Sequence, residues 1–481
     1  MENDSKTNNR STALLIKSGF WYTLSGFLTR AIGFITIPIF TRILTNEQIG
    51  DFYVYATWQT VLVIICSIEV YNTINRARFD FPDNKQLDSY ITSSLLLSTA
   101  ITAVVFCAYL VFPGVFYRVL LLDHKYMLIM FMYLFFSPAF SMFQMKQYVM
   151  YKYKLNAGIA FCLVLMSSVL AVILAIHLEN DRLFGRIFGQ YVLYIITGMI
   201  FYIYFILKSF SVKMVYIKYA LRIGMPLVFS YLGSTILLSS DSVVVKHMCL
   251  DIQVSYIAIV HSAAHIILML VQMLNNAWAP WFYDKLKMGQ TESIRKTFKA
   301  YVLIIVTVTF LVLLFAPEIV LLLGGKNYSE AVNLLPANIL SGVFTVLTVQ
   351  MVNLETYYKK PEYAAVITGV VAVVNILLNI VGVLLWDYRA VCYVTVICYV
   401  LSMLIHYHFT REMKIRELIK PGDLIQFIGL SLLLIPVSLL LYLNDTIRLL
   451  FIVGIFTLLF VIVIRKRRLI RETIMKFREK K

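Results

Sequence analysis

Charge is what this sequence most lacks. Asp, Glu, Lys and Arg make up 14% of the 481 residues against 60% hydrophobic ones, and the mean hydropathy is +0.80. A soluble domain carries about 25% charged residues, so composition excludes one and points to an integral membrane protein. Polar stretches long enough to form a separate soluble domain are missing too. Cysteine is scarce: Cys66, Cys107, Cys162, Cys249, Cys392 and Cys398 fall within or at the ends of apolar runs, with no metal-ligand spacing, so neither a disulfide framework nor a metal site is expected. No phosphate-binding G-x-x-x-x-G-K-[ST] occurs, since GGKNYS at 324–329 has neither the spacing nor the following Ser/Thr, and direct use of ATP is excluded. There is no H-E-x-x-H, nucleophile elbow or paired acid cluster, and no predicted outer loop exceeds about 15 residues, so no enzyme active site is expected. The polar start MENDSKTNNRSTALLIKSG has no short apolar core followed by a small-residue cleavage site; no signal peptide is expected, and the first helix directs insertion.

What the chain does have is apolar runs of about 20 residues from end to end, the length that crosses a bilayer as a helix. Fourteen spans are predicted, at roughly 18–41, 47–74, 89–112, 126–146, 155–177, 187–207, 222–245, 253–280, 299–323, 331–357, 362–385, 390–409, 424–443 and 447–464. With the N-terminus inside, the inner loops and tails hold 33 Lys/Arg and the outer loops 9, leaving Arg30 alone within a span. The positive-inside rule then puts both termini in the cytoplasm. The net charge of +17 is therefore read as topology, and the tail RKRRLIRETIMKFREKK as an anchor or a contact for anionic lipid; no nucleic-acid partner is expected.

Comparing the chain with itself reveals a faint repeat. Gln48 recurs as Gln253 at an offset of 205, Pro113 as Pro317 at 204, Lys125 as Lys326 at 201, and Tyr153-Lys154 as Tyr358-Lys359 at 205. Such a repeat holds six spans, an even number, so the two copies run in the same direction about an axis along the membrane normal. The expected architecture is an all-α membrane protein with one six-helix lobe at 1–210, a parallel one at 211–410, and two extra helices with a basic cytoplasmic tail at 411–481. Transporters built this way hold substrate between the halves near the midplane.

Arg30 is at the right depth for such a site. It lies 13 residues from Lys17 and 12 from Arg42, about 18 to 20 Å from either along a helix. A charge there costs about 2.5–3.5 kcal/mol on insertion scales, so it either lines a water-filled cavity as an anion site or is half of an ion pair, for which Glu69 is the candidate acid. Glu69 is only seven residues from Arg76 at the inner end of its span, which places it at a different depth from Arg30. His261 and His265, spaced i, i+4, face one side of the eighth span as protonatable cavity residues or helix contacts. Asp241, Arg222 and Arg76, with Asn375 and Asn379 on one helix face, are further candidates for the same cavity. Pro38 and Pro226 read as hinges or as static kinks.

RAIGFITIPIFTRILTNEQIGDFYVYA resembles the first-helix signature of the bacterial oligosaccharide flippases: an Arg, a Gly-Phe pair, a helix-ending Pro, then a short turn and a Gly-x-[FY] start of the next helix. RIGMPLVFSYLG, Asp241, WAPWFY at 278–283, GGKNYSEAVNLLP at 324–336 and ETYYKKPEYA at 355–364 follow in order, although the family's Asp-Arg at the seventh span here reads Asp241-Ser242. The chain is similar to Wzx-type transporters of O-antigen, capsule or exopolysaccharide repeat units, in the superfamily of lipid II flippases and multidrug and toxin extruders. The resemblance implies a fold like that of the extruders (MATE-like) and alternating access of two six-helix lobes. It also implies an undecaprenyl-pyrophosphate-linked glycan as substrate in the bacterial inner membrane, with Arg30 binding the pyrophosphate. Coupling to a proton or sodium gradient or to the membrane potential, and work alongside a polysaccharide polymerase and chain-length machinery, are the accompanying expectations. The rival readings are a cation-coupled drug extruder, which needs acidic cavity residues, and a membrane polysaccharide polymerase, which needs a large outer loop.

Overall fold

The structure, a computed structural model, describes residue 26 and residues 28–465 apart from 151, 250 and 361. The polar N-terminal segment, the first part of the expected span 18–41 and nearly all of the basic C-terminal tail lie outside the described residues. Helix α1 (28–43) leads into α2 (Asn46–Ser67), α3 (Val70–Asp80), α4 (Asn84–Val111), the short α5 (Pro113–Leu120), α6 (His124–Val149), α7 (Tyr153–His177) and α8 (Arg182–Lys208). A second series comprises α9 (Met214–Met248), α10 (Asp251–Lys287), α11 (Thr291–Leu314), the short α12 (Ala316–Gly324), α13 (Ala331–Tyr357), α14 (Glu362–Leu385) and α15 (Ala390–Phe409). The four-residue α16 (Ile415–Leu418), then α17 (Pro421–Tyr442) and α18 (Asp445–Arg465), complete the order. Twelve helices among the described residues are long and apolar enough to cross a membrane, α2 and α3 counting as one. The described parts of the first and last expected spans are α1 and α18.

Short polar signals between the apolar runs set the helix ends. Thr45 and Gln48 form a reciprocal capping box at the start of α2, and Asp83 and Asp181 accept from backbone N–H groups in the first turns of α4 and α8. Pro113 and Pro317 occupy the first turns of α5 and α12, where a missing N–H leaves no bond unmade.

Lipid tails are as apolar as leucine, so helices in a membrane gain little from hydrophobic burial and associate through close backbone approach. Gly185 and Gly189 form a G-x-x-x-G face on α8 against α7: a Cβ on Gly189 would lie 2.5 Å from the Cα of Ala171, and one on Gly185 2.5 Å from the Leu174 carbonyl oxygen. Gly198 meets the Phe136 carbonyl on α6 in the same way, at 2.4 Å. One large core joins α9–α17, with Val54 of α2 inside it and Phe34 and Ile37 of α1 packed against it. Two others lie among α2–α8, and the first half of α9 contributes Tyr216, Ala220 and Val228 to one of them. Thus α1 and α9 both pass between the two groups of helices.

Three features depart from the sequence reading. The expected span 47–74 is not one helix: Ile68 and Glu69 both adopt left-handed backbone, at φ 48° and 52°, and separate α2 from α3. No Gly or Pro marks this break; it is held by packing, since Gly224 sits so close to the Ile68 carbonyl that a Cβ would approach it to 2.5 Å. The expected hinge prolines Pro38 and Pro226, by contrast, lie inside uninterrupted helices. The basic loop before α17 is packed, with Met413, Ile415, Leu418 and Ile419 buried. Arg448 then pins α18 to α12 with a bidentate pair to Glu318 at 2.6 and 2.7 Å.

Gly189→Leu is expected to destabilise the fold by about 1–3 kcal/mol through overpacking, lowering the melting temperature in detergent. Gly158→Leu, at a site with nothing within 4 Å of a new Cβ, is expected to leave it unchanged.

Candidate functional site

A cavity of about 890 Å³ lies between the two groups of helices, at the upper end of the size usual for ligand sites. Its walls come from the middle of α1 (30–37), α9 (234–238), α13 (345–349) and α15 (399–402), and it extends along α10 from 262 to 275. It therefore occupies mid-depth and reaches toward the face whose loops carry most of the Lys and Arg.

Among the described residues Arg30 is the one Asp, Glu, Lys or Arg in this lining. Its side chain is exposed to the cavity and forms no hydrogen bond or ion pair among the described residues. The ion-pair alternative is thereby answered for Glu69: that carboxylate is buried at the α2–α3 break and accepts from Asn72 Nδ2 at 2.6 Å. The rest of the lining mixes apolar side chains, such as Phe34, Ile37, Leu237 and Ile266, with hydroxyls, amides and one imidazole, including Tyr53, His265, Gln272, Asn275 and Thr348. Asn275 is oriented by Asn353, whose Nδ2 donates to it at 2.9 Å. Thr345 and Thr348 donate to the carbonyls of Ser341 and Phe344 one turn back, leaving lone pairs free toward the cavity.

The opposite end is shut. At Gly50 of α2 a Cβ would lie 2.9 Å from the Asp251 carbonyl oxygen of α10, and the Tyr53 and Ser262 hydroxyls hydrogen-bond to each other. Above them Lys246 of α9 bonds Asp51 and Asp251, both at 2.6 Å, and so joins α2, α9 and α10. These contacts seal the face that the charge asymmetry assigns to the outside.

Of the other expected site residues, only His265 lines the cavity with Arg30. Asp241 is fully buried behind the wall and accepts from Asn379 Nδ2 and Thr395 Oγ1, each at 2.9 Å, while His261 Nε2 lies 3.3 Å away. Asn375 belongs to this cluster through Ser240, which donates to it at 2.7 Å. The placement of Asp241, His261, Asn375 and Asn379 in the cavity is thus corrected. These groups hydrogen-bond one another across α9, α10, α14 and α15, because a buried polar group needs a partner in a dry interior. Arg76 pairs with Asp80 at 3.4 Å near the end of α3, and Arg222 is exposed on α9; neither lines the cavity. The sequence reading missed Tyr53 and, around His265, the polar groups Ser262, Gln272 and Asn275 on α10. The stripe's offsets of three and seven residues, which fall on one face of a helix, were the signal available.

In a cysteine-free background, a cysteine at Ser234 is expected to react severalfold faster with an anionic thiosulfonate than with a cationic one, because Arg30 shares its cavity. Arg30→Gln should abolish that preference, and a cysteine at Asn379 should react with neither.

With this geometry in hand, comparison with known proteins is informative. No curated protein sequence gives a significant match. The structure is similar to that of the lipid II flippase MurJ in an inward closed conformation, at 16% identity over 93% of this chain and 99% of that one, with a TM-score of 0.65. It is also similar to an inward-facing multidrug resistance MATE family transporter of the MOP superfamily, at 16% identity over 81% and 95% of the two chains and a TM-score of 0.59. A third match is a MOP superfamily transporter from Pyrococcus furiosus described by the reverse polarity of its binding pocket, at 13% identity over 84% and 96%, with a TM-score of 0.51. The fold is that of the MOP superfamily. Residues 15–286 match the family model described as polysaccharide biosynthesis protein, and the chain, a multi-pass membrane protein, belongs to that family.

Proposed function

We propose that the protein is a flippase. It carries an undecaprenyl-pyrophosphate-linked oligosaccharide repeat unit from the inner to the outer leaflet of the bacterial cytoplasmic membrane, by alternating access, for O-antigen, capsule or exopolysaccharide assembly. The observation that carries this reading is the cavity itself: among the described residues that line it, one cation without a counter-ion, no carboxylate, and hydroxyls and amides set among apolar side chains. Sugar hydroxyls cannot shed their hydrogen bonds into hydrocarbon without a cost of several kcal/mol, so a glycan needs such a wall, while its lipid tail stays outside. The same lining argues against a cation extruder, which would place an acid there.

Arg30 would take the pyrophosphate. A group carrying about two negative charges gains about 4.6 kcal/mol per 100 mV on moving outward across an inside-negative membrane, so the potential favours export. A proton or sodium gradient could then reset the empty carrier. On this reading both termini are cytoplasmic, and the delivered unit passes to a polymerase and its chain-length machinery. Metals and nucleotides have no assigned part.

The test replaces Arg30 by Ala, Gln and Lys in cells lacking the native protein and follows outward delivery of the pyrophosphate-linked unit at matched protein abundance. Ala and Gln are expected to reduce delivery by about 1.4 kcal/mol or more, tenfold at least, with partial recovery by Lys. Unchanged delivery with all three would remove Arg30 as the anion site. In proteoliposomes, an imposed inside-negative potential is expected to raise the rate and extent of outward movement; equal movement with and without it would exclude the potential as a driving force.

A further inference from the structure

The first group of helices holds a second cation without a carboxylate partner, buried near the end of its span. Arg186, in the first turns of α8, is only 5% exposed. Its guanidinium carbon sits 3.4 Å from the centre of the Phe52 ring and 4.2 Å from that of Phe40. Nε and Nη1 are buried and have no hydrogen-bond partner. The ionisable groups that face it are the hydroxyls of Tyr53, Tyr191 and Tyr328, with no carboxylate among them. Aromatic faces stabilise a cation but satisfy none of its N–H donors. An uncompensated buried charge is a costly thing to keep, and an intramembrane one that persists marks a ligand path more often than a packing need.

Its position explains the retention. Phe40 is ten residues beyond Arg30 on α1, so Arg186 lies about 15 Å farther toward the sealed face. The hydroxyl of Tyr328, from the opposite group of helices, is close enough to act on it electrostatically, as is that of Tyr53, which bonds Ser262 in the α2–α10 seam. Arg182, one turn earlier, already donates to the Ile43 carbonyl at 2.8 Å, so the end of α1 has its own fastening and does not depend on Arg186.

We propose that Arg186 is a second anion site, specific for a phosphate or pyrophosphate group, that is uncovered when the outer ends of α2 and α10 part. On the carrier reading, on which this inference rests for its purpose, the phosphate leaves Arg30 and is received by Arg186 on the way out. Two cations about 15 Å apart divide the passage into short steps, and the aromatic cage holds the second guanidinium ready without an internal carboxylate that would compete with the substrate.

The experiment uses the full-length protein in detergent and follows phenylglyoxal modification of individual arginines by peptide mass spectrometry, with inorganic pyrophosphate as ligand. In the native sequence Arg186 should react severalfold more slowly than the exposed Arg411. Lys246→Met and Asp51→Asn, which remove the clasp across the seam, should each raise Arg186 reactivity severalfold. Pyrophosphate should lower it again without affecting Arg411. An Arg186 that stays unreactive in both variants, or that becomes reactive but is not protected by pyrophosphate, is a buried pin and overturns the proposal. In cells, Arg186→Gln should lower delivery severalfold and Arg186→Lys restore most of it; equal loss in both would count against an anion site. None of these outcomes touches Arg30, so the proposal can fail while the carrier reading stands, and that reading fails only on the Arg30 series.

Discussion

The seam between the outer halves of α2 and α10 is the contact on which the rest of the arrangement depends. It brings Gly50 onto the Asp251 backbone, joins Tyr53 to Ser262, and is spanned by Lys246 between Asp51 and Asp251. With the seam closed, the two groups of helices meet on one side of the membrane and diverge on the other, and the 890 Å³ cavity is the space they leave. Hydrogen bonds and ion pairs exchange with water at a net cost of about 0.5–1.5 kcal/mol each. The seam also packs apolar side chains, Val54 with Val254 and Ile257 and Ile49 with Ala258, so opening it exposes apolar area as well, at about 25 cal/mol for each Å².

Polarity in the protein is divided according to whether it must move. The Asp241 cluster and the buried Glu355–His406 pair, with His406 Nδ1 2.7 Å from the carboxylate, tie helices of one group together and are closed to the cavity. The polar groups of the cavity wall bond mainly to their own helices, as Thr345 and Thr348 do, or to a neighbouring amide, as Asn275 does. Such groups can accept hydrogen bonds from a sugar without losing the bonds that hold their helices. Arg30 completes the wall as a charge that has no partner and meets no lining carboxylate among the described residues.

Much of the fold was legible because the bilayer imposes a length on every apolar run. Ten of the fourteen expected spans correspond to a single long helix each, between α4 and α17, while the span 299–323 divides into α11 and α12; the polar caps between them coincide with the turns. The Ile68–Glu69 break was not legible: nothing in the local sequence demands left-handed backbone there, and only the approach of Gly224 from a helix more than 150 residues away holds it. His261 and His265 read alike in sequence, yet one turns to Asp241 and the other to the cavity, since which partner occupies each side of α10 is decided by the helices packed around it. Arg186 read as a loop charge because it stands at the edge of its apolar run.

By itself, then, the sequence determined that the chain is a bundle of membrane-crossing helices and that one arginine stands inside an apolar run; these follow from burial of each segment in hydrocarbon, a local property. Only the tertiary structure decided that Arg30 is unpaired, that Asp241 is hidden behind the wall, and that a second arginine waits in an aromatic cage beside the seam. Those are relations between side chains on different helices, and packing, which no single segment encodes, sets them.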